Sequence, residues 1–183
     1  MDSKSDPPAI RDAYEEQGVR EFYEQQGSSY RNPHEEAIAD VLRRCVAQWQ
    51  LDLSRVLDLA CGSGEVTLAL RLENTQQIVG ADPYTSEAYL DRTGQQALAH
   101  SFEQIAQGAL AAERFSLIVC SYALHLVEPS RLPALLAQLA ICSPALLILS
   151  PHKRPEIRDA WGWRLIQQTY RHRVRVRLFE RTT

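Results

Sequence analysis

The chain has 183 residues and a formal net charge of −3, with 45% hydrophobic and 23% charged residues. That is the make-up of one soluble globular domain with a real core. It weighs against a general affinity for nucleic acid, no apolar run approaches the ~20 residues that span a bilayer, and the polar start Met1–Asp6 lacks the apolar core of a signal peptide, so a cytoplasmic protein is expected.

In chain order, residues 1–8 end in Pro7-Pro8 and residues 9–26 read as a helix interrupted at Gly18. Asn32-Pro33-His34-Glu35-Glu36 reads as a helix start, with Asn32 as cap, Pro33 in the first turn and two acids beside the helix dipole. That helix runs to about Trp49 with Ile38, Val41, Leu42 and Cys45 on one face. Buried strands are expected at 55–59 and 78–82, a weak one at 95–100, and strong ones at 115–120 and 145–150. Helices are expected at 65–72, 129–141 and 155–170, with shorter turns or helices at 83–91 and 103–107. Arg173 to Arg181 alternates with period two, Val174, Val176 and Leu178 on one side and arginines on the other, the pattern of a charged edge strand.

Strands alternating with helices predict an α/β fold with a doubly wound, mostly parallel sheet and helices on both faces. Cys45, Cys61, Cys120 and Cys142 are far apart and fit no zinc spacing, so buried free thiols and no metal are expected. Charge is uneven: residues 1–50 hold ten acids and six bases, residues 151–183 nine bases and three acids. The basic end reads as a solvated face or as one that meets an anionic substrate.

The most informative stretch is Val56-Leu57-Asp58-Leu59-Ala60-Cys61-Gly62-Ser63-Gly64-Glu65. An apolar strand leads into a small-residue turn and then a helix start, so a ligand can reach main-chain N–H groups at the carboxyl end of the strand. Asp82 ends the next strand, 18 residues after Gly64, where a carboxylate can accept from ribose hydroxyls. The dinucleotide fingerprint G-x-G-x-x-G is not met, because no third glycine follows and Glu65 would sit where a pyrophosphate needs positive charge.

Asp58, Cys61, Gly62 and Gly64 resemble motif I of the class I S-adenosylmethionine-dependent methyltransferases, with Ala60 where that family usually has glycine. The resemblance implies strand order 3-2-1-4-5 with one or two C-terminal strands, an N-terminal helical lid over residues 1–50 and a Rossmann-like core over 51–183. It implies S-adenosyl-L-methionine as cofactor. Its holders would be Asp58, Ala60, Cys61, Gly62, Gly64, Asp82 and Pro83, then Ser101 and Phe102 at the adenine, Ser121 near the sulfonium, and Tyr30 and Arg31 at the carboxylate. Ser121-Tyr122-Ala123-Leu124-His125 resembles the family's segment under the methionine part, and Tyr122, His125 and His152 are the candidates for handling the methyl acceptor. A small-molecule acceptor and a monomer or homodimer are expected. The alternatives are a regulatory protein that binds the cofactor without methyl transfer, and a protein or RNA methyltransferase, for which the basic C-terminal strand is the support.

Overall fold

The computed structural model describes residues 31–73, 75 and 77–182. In chain order these form α1 (Glu35–Trp49), β1 (Val56–Leu59), α2 (Glu65–Arg71), β2 (Ile78–Ala81), α3 (Ser86–Thr93), α4 (Phe102–Ala106) and β3 (Leu117–Ser121). Then come α5 (Leu132–Cys142), β4 (Ala145–Ser150), β5 (Trp163–Arg171) and β6 (Val174–Arg181), with single 3₁₀ turns at Leu124–Leu126 and Asp159–Trp161. One six-stranded sheet has the order β2-β1-β3-β4-β6-β5. β1 to β4 pair in parallel; β6 pairs antiparallel with both β4 and β5.

The central strands are apolar on both faces because both faces are covered. Val56, Leu117, Val119, Leu147 and Leu149 pack with Ile38, Leu42, Val66 and Leu70 from α1 and α2. Their alternates Leu57, Leu59, Ile118, Leu146 and Ile148 pack with Leu135, Leu136 and Leu139 of α5 and with Trp163 and Phe179. Trp163 is fully buried and its indole N–H donates to Leu136 O at 2.9 Å, so the ring adds area to the core without stranding a donor.

Several expectations are corrected. Helix α1 begins at Glu35; Pro33 precedes it, and Asn32 Oδ1 accepts from the His34 N–H at 2.9 Å in a two-residue turn before the helix. With Ile38, Val41, Leu42 and Cys45 buried against the sheet, α1 packs into the core. The helix expected at 9–26 lies outside the described residues. The weak strand at 95–100 reduces to one parallel bridge, Ala81 to Leu98. The helix expected at 155–170 is instead a loop, a 3₁₀ turn and the nine-residue strand β5. β6 is therefore interior, and β5 is the edge. The four cysteines are buried and free. No helix among the described residues is long and apolar enough to cross a membrane.

Gly64 starts α2 with φ +91°, and a Cβ there would lie 2.5 Å from Thr93 Cγ2. Gly64→Ala should cost about 2–4 kcal/mol, from overpacking added to left-handed strain. Gly94→Ala, at φ +70° with no atom within 4 Å of the added carbon, should cost only about 1 kcal/mol. Urea unfolding midpoints compare the two; equal losses would mean that Thr93 yields freely.

Candidate functional site

β1 ends in a loop whose backbone is unusual. Ala60 has φ +56° and Gly62 φ +54°. The left-handed region costs a non-glycine residue about 1–2 kcal/mol, so Ala60 is a strained departure from glycine rather than a neutral one. The loop is held from below and from the side. Asp58, 1% exposed, accepts from the Thr67 N–H at 3.1 Å and the Thr67 hydroxyl at 2.7 Å, and Thr67 Oγ1 lies 2.9 Å from Tyr89 Oη. The Cys61 N–H donates to Ala81 O at 3.2 Å. Asp82 Oδ2 accepts from the Gly62 N–H at 3.3 Å, while Oδ1 accepts from the Tyr84 and Thr85 N–H groups at 2.8 and 3.2 Å. Asp82 thus ties the loop after β1 to the turn after β2.

Around this loop lies a cavity of about 240 Å³ at the carboxyl ends of β1, β2 and β3. Of the residues predicted to hold a cofactor, Asp58, Ala60, Cys61, Gly62, Asp82, Pro83, Ser101, Phe102 and Ser121 line it, and so does Tyr122. Gly64 does not; it faces Thr93 and Tyr89 of α3 and serves helix packing. Arg31 is exposed and off the lining, and Tyr30 lies outside the described residues. Ser101 caps α4: its hydroxyl accepts from the Gln104 N–H at 3.3 Å and its own N–H donates to Gln104 Oε1 at 2.9 Å. Ser121 Oγ is buried without a hydrogen-bond partner among the described residues.

Sequence reasoning put Glu65 in the ligand loop without naming it as a cofactor holder, and missed Asn32, Glu103 and Arg131 in the lining. Glu65 is buried, accepts from the Asn32 N–H at 3.2 Å and from the Ser63 hydroxyl at 2.5 Å, and sits 3.5 Å from Arg92 Nη1. An acid in the first turn of α2, three residues after Gly62, was the available signal. Glu103 and Arg131 form an ion pair at 2.8 Å across the other end.

The three acceptor candidates separate. Tyr122, with φ +55°, stacks on His34 at 5.0 Å between centroids, and burial pushes its phenol above the ordinary range. His125 and His152 meet edge to face at 5.3 Å beside the cavity, not in its lining. Burial, with the His152 ring adding, holds His125 below the usual imidazole range, and its Nδ1 is buried without a partner among the described residues.

Burial raises the Asp58 carboxyl to about 8, against the Thr67 hydrogen bonds that oppose the shift. The sign follows from proton counting: the folded chain keeps a proton that the unfolded chain releases above about pH 4. Asp58 therefore stabilises the unliganded fold most at low pH, and this contribution is lost between about pH 4 and 8, at up to ~1.4 kcal/mol per pH unit. Urea unfolding from pH 5 to pH 8 should show wild type losing stability relative to Asp58→Asn; parallel profiles would mean that Asp58 is ionised in the fold.

A family model described as a methyltransferase domain matches residues 30–182. The Schizosaccharomyces pombe uncharacterized protein C17A5.05c is 33% identical over 199 residues, covering 86% of this chain and 80% of its own. Among solved structures, magnesium protoporphyrin IX methyltransferase from Synechocystis PCC 6803 with bound SAM aligns with a TM-score of 0.61 and 16% identity, over 99% of this chain and 100% of that one. An rRNA methylase from Escherichia coli gives 0.61 and 17%, over 97% of this chain and 78% of that one. At such identities the solved structures speak to the fold. The family match across nearly the whole described chain, with the sheet and loop just described, makes this chain a member of the methyltransferase-domain family, a class I S-adenosylmethionine-dependent methyltransferase.

Proposed function

We propose that the chain methylates a small molecule whose reacting atom is presented at the Ser121–Val127 side of the cavity. The observation that carries this reading is one cavity lined jointly by the 60–62 loop, the Asp82 carboxylate and the Ser101–Phe102 pair, which stand at 20-residue intervals along the chain. When bound there, S-adenosylmethionine supplies an electrophilic methyl group on a sulfonium cation.

The residues fit that ligand. Glu65 and Asp82 give one wall carboxyl groups, which suit a cation and oppose a pyrophosphate. Asp82 Oδ1 already accepts two N–H groups and Oδ2 one, so a single acceptor position on Oδ2 is left for a ribose hydroxyl. Phe102 offers a ring face for adenine, and Ser101 stands beside it in the lining. The buried hydroxyl of Ser121 needs a partner, and the cavity is the place for one. The aromatic ring of Tyr122 suits a sulfonium. Asp58 and Gly64 hold the loop's shape instead of touching the ligand.

For the acceptor, positioning dominates: a reacting atom held in line at about 3–3.5 Å supplies most of the rate. Tyr122 would orient it, and His125, kept neutral by burial, would accept its proton where the acceptor is a hydroxyl or an ammonium. His152 would steady the His125 ring.

Calorimetry with S-adenosylhomocysteine tests the cofactor half. Wild type should bind in the micromolar range; Asp82→Ala should weaken binding at least tenfold, by roughly 1.5–3 kcal/mol for a charged hydrogen-bond partner, and Gly62→Arg should abolish it. Mass spectrometry of methylated products from a panel of small acids, amines, thiols and alcohols tests the acceptor half. Binding without product from any small acceptor, but with product from RNA or protein, would replace this reading.

A further inference from the structure

Arg177 is an arginine in a core position. It sits mid-strand on β6 and is 7% exposed. Its Nη1 donates to Pro155 O at 2.7 Å, and its Cζ lies 5.7 Å from the Phe179 ring centroid. Nε and Nη2 are buried with no partner among the described residues. No carboxylate among the described residues bonds the group. Glu156 of the overlying loop and Asp159 just after it are exposed, while Arg175 adds like charge. A buried cation held by one neutral carbonyl is a poor structural element, because desolvation is not repaid without a counter-charge.

The two free donors are not arbitrary. Nε–H and one N–H of Nη2 point from the same edge of the guanidinium, the fork that matches the two oxygens of a carboxylate or phosphate. The position is on the acceptor side. Arg177 pairs with Ile148 on β4, and Ile148 with Cys120 on β3, next to the cavity-lining Ser121. Two strand spacings are about 10 Å. The loop 151–158, whose Pro155 receives Nη1, also carries His152 against His125, one residue before the cavity-lining Leu126. Lys153, Arg154 and Arg158 in that loop outnumber its one acid.

We propose that Arg177 is the receptor for an anionic group on the methyl acceptor, a carboxylate or a phosphate monoester, bound through Nε–H and Nη2–H beneath the 151–158 loop. The assignment to the acceptor rests on the function proposed above. A buried fork admits one compact anion and is out of reach of a polymer backbone, so the acceptor is a small acid rather than RNA.

The test uses the full chain, with sodium acetate and inorganic phosphate as probes and sodium chloride at matched ionic strength as control. Wild type should show a saturable shift of one arginine Nε–H resonance in NMR, and a rise in melting temperature, with acetate or phosphate and not with chloride. Whichever probe binds tighter identifies the anion. Arg177→Met should lose both responses, and Arg177→Lys, which keeps charge without the fork, should weaken them about fivefold or more. S-adenosylhomocysteine affinity should stay within about twofold in both variants, Arg177 being off the cofactor cavity. Should Arg177→Met not fold, wild type against Arg177→Lys decides. A wild type without a saturable response, or a response that Arg177→Met keeps, overturns the receptor; so does steeply salt-dependent RNA binding that Arg177→Met loses. An intact anion response in a chain that fails to bind S-adenosylhomocysteine would keep the anion site and remove its assignment to a methyl acceptor.

Discussion

The buried contact between Asp58 and Thr67 is the constraint on which the site depends. Asp58 ends the first strand of the sheet, and Thr67 lies in the first turn of the helix that follows. By taking both the backbone N–H and the hydroxyl of Thr67, one carboxyl oxygen fixes how α2 leaves the sheet. Only then can the residues between them, 60 to 64, adopt three left-handed conformations in five positions. Tyr89 extends the network to α3 through Thr67 Oγ1. Its ring lies so close to Gly80 that an added Cβ there would meet Cζ at 2.5 Å. One polar chain thus sets β1, α2, α3 and β2 against each other, and the cavity is the space they leave.

This division of labour separates residues that motif reasoning groups together. The turn's small residues serve two purposes. Ala60 and Gly62 line the cavity, whereas Gly64 lets α2 approach α3. The two conspicuous acids differ likewise. Asp58 spends one oxygen on Thr67 and is pushed toward its neutral form, while Asp82 is held by three backbone N–H groups that oppose the effect of its burial. Both carboxyl groups are buried, so the number and kind of hydrogen-bond donors, not burial alone, set what each can offer a ligand.

Much of the core was legible because parallel strands covered on both faces read as short apolar runs, as at Val56–Leu59, Leu117–Cys120 and Ala145–Leu149. β5 was not legible, for three physical reasons. Its pairing slips between Leu165 and Gln167, which breaks the period-two pattern. Most of its residues are exposed at the sheet edge, so no buried face selects hydrophobic alternates. Its turn to β6 is His172-Arg173, both at positive φ, without the asparagine or glycine that normally marks such a hairpin. Losing β5 had a second consequence. It made β6 look like an edge strand, with its arginines on a face that was either solvated or turned to an anionic substrate, whereas Arg177 is core. In the site, the glycine turn and the strand-end acid pointed to the loop and Asp82, and the family resemblance to Ser101–Phe102, but contacts made in space, such as Glu103 with Arg131, leave no periodic trace in the sequence.

The charge distribution separates the two ends of the mouth more sharply than composition suggests. Glu65 and Asp82 gather at the β1–β2 end, while Lys153, Arg154, Arg158, Arg175 and Arg177 gather at the β4–β6 end. Between exposed groups such a separation counts for little, because at physiological ionic strength the Debye length is about 8 Å. Buried groups are screened far less. Asp82 and Arg177 are both buried, so each acts on what lies beside it and not on bulk counter-ions. A sheet with carboxyl groups at one end and, at the other, a guanidinium without a counter-charge among the described residues is polarised along its strand order. An anionic acceptor of the kind proposed above would therefore be drawn to the end opposite the cofactor's sulfonium.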